Sequence, residues 1–151
     1  MTDKVSKEKR SEIMSKVKSK DTKVEIKARH WLFKHGLRYR KNCKDIVGRP
    51  DIAIKKYKIA IFIHGCFWHG HENCKNFRLP SDHGDYWRKK IQANIDRDSR
   101  NAESLKKSGW KVFVIWECQL KKDIDSTMEI LLLEIRAIKK KFDSKSQGAT
   151  T

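Results

Sequence analysis

Apolar residues recur along this chain in two rhythms, and the change from one to the other marks out its elements. Val24, Ala28, Trp31, Leu32 and His35 follow a helical period after Thr22 or Asp21, either of which can cap a helix, and Gly36 ends the run. Glu25, three residues after Thr22, completes a capping-box pattern. Residues 37–41 suit a short strand, and "VGRPD" (47–51) is a turn because Gly and Pro interrupt regular structure. The Ile-rich runs 51–56 and 58–63 read as strands. The second is apolar on both faces, as a central strand covered on both sides must be. Residues 76–84 are loop. From 85 to 108 a long helical stripe runs through Trp87, Ile91, Ile95, Ala102 and Leu105, and Gly109 stops it. Asp98 falls on that stripe, where a bare carboxylate is expensive to bury. "WKVFVIW" (110–116) predicts a further buried strand that delivers Glu117 and Cys118, and 124–141 predicts an amphipathic helix. Helix, strands, helix, strand, helix is the order of a mixed α/β domain. It would span residues 21–142, between a basic arm (1–20) and a disordered tail (143–151).

Charge changes this picture most. The chain of 151 residues carries a formal net charge of +17. Residues 1–41 alone hold 14 Lys/Arg against 5 Asp/Glu. Such asymmetry points to a polyanionic partner, nucleic acid before a membrane surface. No run approaches the roughly 20 apolar residues that span a bilayer, and no signal peptide is evident, so a cytoplasmic protein is expected. In a reducing cytosol, four cysteines suggest metal ligation rather than disulfides. A monomer is the default.

Two groups of residues could carry chemistry. The first lies mostly in "HGCFWHGHENC" (64–74), where Cys66, His71 and Cys74 are spaced C-x4-H-x2-C and Cys118 follows the last predicted strand. Cys and His in a set of four suit tetrahedral structural zinc. Cys118 read instead as a buried core thiol would leave that set incomplete. His83 is an alternative to His71. The second group is Glu25, Asp51, His64, His69 and Asp98, which could converge at one sheet edge. Carboxylates favour magnesium. Magnesium beside a histidine base would suit phosphodiester hydrolysis. Glu25 as a mere capping partner and Asp98 in a structural ion pair are the bland alternatives.

"SEIMSKVKSKDTKVE", "GRPDIAI", "IFIHGCFWHGHENC", "DYWRKKIQANIDRDSRN" and "GWKVFVIWEC", in this order over about residues 10–120, resemble the very-short-patch repair (Vsr) endonucleases. The resemblance implies a restriction-endonuclease-like fold, a variant of the PD-(D/E)xK nucleases. It implies magnesium-dependent nicking of duplex DNA on the 5′ side of the T in a T:G mismatch, the product of 5-methylcytosine deamination. That activity implies a functional link to a cytosine-5 DNA methyltransferase and a place near the bacterial nucleoid. By position, Asp51 resembles the central metal carboxylate, and the Ile63 main-chain carbonyl stands where a second ligand is. His69 resembles the proton-transfer histidine, while Glu25, His64 and Asp98 match residues that position metal-bound water. Cys66, His71, Cys74 and Cys118 match a structural zinc set. Phe67, Trp68 and Trp87 resemble aromatics that wedge into DNA, with Met14 inserted from the minor-groove side. Two features depart from the pattern. Two residues, rather than the usual one, separate His71 from Cys74, and "IFIHG" replaces the E-x-K half of the nuclease motif. A matched-sequence nicking or restriction enzyme is the alternative activity.

Overall fold

The structure is a computed structural model that describes residues 22–72, 74 and 83–148. The expected arm, with Met14, lies outside the described residues. The elements run α1 (Lys23–Lys34), β1 (Arg40–Lys41), β2 (Ile52–Ile54), a 3-10 turn (Lys55–Tyr57), β3 (Ile59–His64), α2 (Gly84–Lys107), β4 (Lys111–Trp116), α3 (Glu117–Lys122) and α4 (Ile124–Gly148). The strands form one mixed sheet in the order β1-β2-β3-β4. β1, β2 and β3 pair antiparallel. β3 and β4 pair parallel, because α2 carries the chain back between them.

The period of two along each strand decides the layers. Ile59, Ile61 and Ile63 of β3 join Ile52 and Ile54 of β2 under α1 and α4, where Leu32, Met128 and Ile135 are fully buried. Each such aliphatic side chain contributes about 1.5–3 kcal/mol by leaving water. The alternate residues face α2, where Ala60, Ala53 and Leu105 form a smaller cluster with Phe62 and Val112 packed against it. His64, next in that alternation, therefore falls on the α2 side.

Three expectations need correction. β2 is shorter than 51–56, because Lys55–Tyr57 turns into a 3-10 segment and Lys58 adopts a left-handed φ of 53° to start β3. β4 is not buried throughout. Among the described residues it pairs with β3 alone, making it a sheet edge, and Val114 is 42% exposed. The last helix runs to Gly148, so residues 143–148 of the expected tail are helical, in a segment without a helix breaker before that glycine.

Candidate active site and metal centre

All of the chemistry-bearing side chains gather where β3 ends. Asp51 sits just before β2, which runs antiparallel to β3, so it comes to the same end of the sheet as His64. The turn that delivers it is unusual. Gly48 and Arg49 both have positive φ, 78° and 51°. A Cβ at Gly48 would lie 3.1 Å from Asn101 Cβ and from Phe62 Cζ, so glycine is needed there for space as well as conformation. Beyond the turn, Asn42 and Cys43 donate to the carbonyls of Asp51 and Pro50, which holds residue 51 in register.

The Ile63 N–H donates to Asp51 Oδ2 at 2.6 Å. In an extended strand the N–H and C=O of one residue point the same way, so the Ile63 carbonyl also faces the Asp51 side. Burial pushes the Asp51 carboxyl up to about 7 against the opposing Ile63 bond, and the Glu25 charge adds to the rise. Glu25 is only 5% exposed and pairs with Arg29 at 3.6 Å. Its main-chain N–H donates to Thr22 Oγ1, as a capped first turn requires. Two neighbouring carboxylates in a desolvated wall favour a cation, and hard oxygen donors suit magnesium.

His64 is the last residue of β3, not a residue past it. It is 8% exposed, and its Nδ1 makes no hydrogen bond among the described residues. Its ring stacks on His69, with centroids 3.8 Å apart and planes within 5°. Burial, then the His69 charge, pushes His64 down to about 4, so it is neutral at physiological pH. His69 Nδ1 lies 2.6 Å from Asp98 Oδ2. Burial alone would raise the Asp98 carboxyl, but the His69 bond and the charges of His69, His64 and Arg97 outweigh it and hold it below 3.8. An ionised Asp98 can only accept. Nδ1 of His69 therefore carries the proton, and Nε2 is left as the basic nitrogen.

A local fold explains the thiol group. The His71 N–H donates to the Cys66 carbonyl at 2.9 Å and the Gly70 N–H to the Phe67 carbonyl at 3.3 Å, with Gly70 at φ 61°. This nested pair is the Schellman closure of a single helical turn, and glycine permits it. It folds His71 back onto Cys66 and leaves Phe67, Trp68 and His69 on the turn between them. The ligand-type atoms of Cys66, His71, Cys74 and Cys118 lie within 4.8 Å of one another. His71 and Cys74 thus reach one group despite the longer spacing. His83 is not in that group and instead precedes α2 as its N-cap. Burial, then the crowding of the Cys118 and Cys74 thiols, pushes the Cys66 thiol up to about 12. Such a set fits a thiophilic divalent ion, which would take up the thiolates that this crowding otherwise opposes.

The aromatics beside it divide into two kinds. Phe67 and Trp68 are partly exposed and meet edge to face at 5.3 Å. Trp87, expected beside them as a third wedge, is only 3% exposed. It packs behind both, at 5.6 Å and 5.9 Å, because it lies on the core-facing stripe of α2. One cleft of about 1010 Å³ is lined by Glu25, Asp51, Ile63, His64, His69 and Asp98, and by Phe67 and Trp68. Sequence reasoning missed Arg29 and Asn94. Arg29 follows Glu25 by one helical turn, and Asn94 precedes Asp98 by one, so i,i+4 spacing was the available signal. Asn94 donates to the Trp68 carbonyl at 2.9 Å and so ties the Cys66–His71 turn to α2.

The family described as DNA mismatch endonuclease Vsr matches residues 2–76. A type II nicking enzyme, V.NmeAIP, of Neisseria meningitidis serogroup A is 50% identical over 121 residues, which cover 80% of this chain and 86% of that one. V.XorIIP, a type II nicking enzyme of Xanthomonas oryzae pv. oryzae, is 44% identical over 120 residues, 80% of this chain and 88% of its own. The DNA mismatch endonuclease Vsr of Escherichia coli K12 is 37% identical over 121 residues, 80% of this chain and 77% of its own. With a family match that spans Glu25, Asp51 and the Cys66–Cys74 turn, and relatives this similar over most of their length, the chain belongs to the Vsr family of DNA mismatch endonucleases.

Proposed function

We propose that the chain nicks duplex DNA 5′ of the T in a T:G mismatch, by magnesium-dependent hydrolysis of one phosphodiester. The observation that carries this reading is the single cleft in which an Asp–His pair, a buried carboxylate and two partly exposed aromatics meet. The restriction-endonuclease-like assignment of the fold, as a PD-(D/E)xK variant, rests on the same family resemblance and on the mixed sheet flanked by helices.

Magnesium bound by Asp51 and the Ile63 carbonyl would polarise the scissile phosphate and offset charge on the leaving oxygen. His69 Nε2 accepts the proton of the attacking water, and Asp98 holds that ring in one tautomer and stabilises the imidazolium that results. His64, neutral well below physiological pH, orients water or phosphate without changing charge. Glu25, held by Arg29, orients water from the opposite wall. Phe67 and Trp68 enter the stack beside the mismatch, with Trp87 as their backing. A base step at a mismatch costs least to open, which favours T:G over paired DNA. Met14, in the basic arm of residues 1–20, would enter from the minor-groove side. Zinc on Cys66, His71, Cys74 and Cys118 would tie the wedge turn to the start of α3.

The biological substrate in this reading is deaminated 5-methylcytosine, so a cytosine-5 DNA methyltransferase is the functional partner. The enzyme would work as a monomer in the bacterial cytoplasm. No helix among the described residues is long and apolar enough to cross a membrane. A second reading, sequence-specific nicking of matched DNA, is favoured by the names of two relatives, both type II nicking enzymes. One assay separates them. Matched sets of T:G, T:A and C:G duplexes are incubated with and without magnesium, and the nicked strand is sized. Cutting of T:G alone, and only with magnesium, is expected. Equal cutting of all three would overturn the mismatch reading, and unchanged cutting without a divalent ion would overturn the magnesium site.

A further inference from the structure

We infer that Trp116 is a positioning residue that couples the thiol–imidazole metal centre to the histidine pair of the cleft. The inference rests on the reading of His69 and His64 given above. Its basis is strand register. β3 and β4 run parallel with His64 directly opposite Trp116. Two residues beyond each partner stands a cysteine of the metal group, Cys66 after His64 and Cys118 after Trp116. The two strand ends therefore leave the sheet side by side and meet again at the same four-residue cluster. Any ion that sets the distance from Cys66 to Cys118 also sets how the ends at His64 and Trp116 lie against each other.

Ring contacts complete the link. Trp116 stacks flat on the metal-cluster imidazole of His71, with centroids 4.0 Å apart and planes within 8°. The same indole meets His64 nearly at right angles at 5.2 Å. His64 in turn stacks on His69 at 3.8 Å. An unbroken column, His71, Trp116, His64, His69, thus runs from the metal centre to the basic nitrogen. Trp116 is not held in place by core packing alone. It lines a cavity of about 330 Å³ between α2 and the exposed edge at Val114, together with Phe62, His64 and Ile95. With space on that side, the ring is restrained by its contacts with His71 and His64. A restraint of this kind matters because misplacing a reacting group by about 1 Å can cost about 10²-fold in rate.

The test compares full-length wild type, Trp116→Leu and Trp116→Phe, each loaded with zinc or with cadmium, a larger and equally thiophilic ion. Metal content, the NMR signals of the His64 and His69 rings without DNA, and kcat and KM for nicking are measured. In the wild type the change of ion should shift the His64 and His69 signals. The leucine variant should bind the same amount of metal and keep its KM, lose that response to the ion, and show kcat lowered about tenfold or more. The phenylalanine variant, which keeps a ring, should recover most of the response and the rate. The inference is overturned if the two histidines respond to the ion as strongly in the leucine variant as in the wild type. It is equally overturned if kcat is unchanged or if the variant loses the metal. Should the leucine variant fail to fold, the phenylalanine variant decides, since a response no smaller than wild type would overturn the coupling. The ring signals are read without DNA, so they stand or fall independently of which duplex the enzyme nicks.

Discussion

Replacing Asp51 by asparagine should stabilise the magnesium-free protein while stopping the reaction. Asparagine still offers an oxygen to the Ile63 N–H, which Asp51 meets at 2.6 Å, but removes a charge that its surroundings disfavour. Burial pushes this carboxyl from 3.8 up to about 7, and the Glu25 charge reinforces the rise. The folded chain therefore binds this proton more tightly than the unfolded chain, and stability is lost as pH rises from the unfolded value through the folded one. At about 1.4 kcal/mol for each tenfold in proton affinity, the loss between 3.8 and about 7 has an upper limit of about 4 kcal/mol. Asp51 is only partly buried, and water reaching it reduces that figure, so about 1–3 kcal/mol is the working expectation above pH 7. In a chain of this size that raises the melting temperature by several degrees, at about 2–4 °C per kcal/mol.

The assay is thermal unfolding by circular dichroism at pH 5, 6, 7 and 8, with zinc retained and no magnesium. Only the difference between variant and wild type is interpreted, because carboxylates remote from Asp51 titrate alike in both. That difference should grow at least twofold from pH 5 to pH 8. Added magnesium should then raise the melting temperature of the wild type and not of the variant, since only the wild type keeps the ligand. A difference that is flat with pH, or a variant less stable than wild type at pH 8, would refute the placement of a strained, partly desolvated carboxylate at residue 51. The strain is what a cation site implies, because charges assembled to hold an ion repel one another until it binds.

Other consequences are more local. Asp98→Asn replaces an obligate acceptor with a group that can donate to Nδ1, so the wrong tautomer of His69 becomes available. Single-turnover nicking should slow by about 10²-fold or more, with DNA affinity little changed, and a rate near wild type would count against His69 as the base. Cys118→Ser removes one of the four clustered ligand atoms. Zinc measured by atomic absorption should fall and the melting temperature with it, whereas full zinc content would exclude Cys118 as a ligand. Gly48→Ala places a methyl 3.1 Å from Asn101 Cβ and Phe62 Cζ at a φ of 78°. The urea midpoint should drop by the equivalent of about 1–2 kcal/mol, and an unchanged midpoint would show that the turn before Asp51 relaxes freely.

How much of this site could be read in advance depended on whether its parts were close in sequence. Cys66, His71 and Cys74 were legible because they lie close in sequence, and a turn that needs only Gly70 and local hydrogen bonds brings His71 back to Cys66. The long stripe of α2 was legible by its period, and Asp98 stood out as a carboxylate on it. Period tells which face a residue occupies but not what lies in front of it. Trp87 shared the buried stripe with Ile91 and so packs behind Phe67 and Trp68 rather than lining the cleft with them. β4 looked as apolar as β3, yet no strand among those described covers its far side, and nothing in its own composition reveals that. Arg29 and Trp116 were harder still, because their roles exist only through neighbours brought in by other elements. Trp116 in particular depends on a parallel register that sets it opposite His64. A slip of one residue would turn His64 away from α2 and Asp98 towards the α1–α4 core, where an imidazole has no partner. Register is therefore the physical quantity that joins the two halves of the site, and the isoleucines of β3, buried on the opposite face, penalise any slip by one residue.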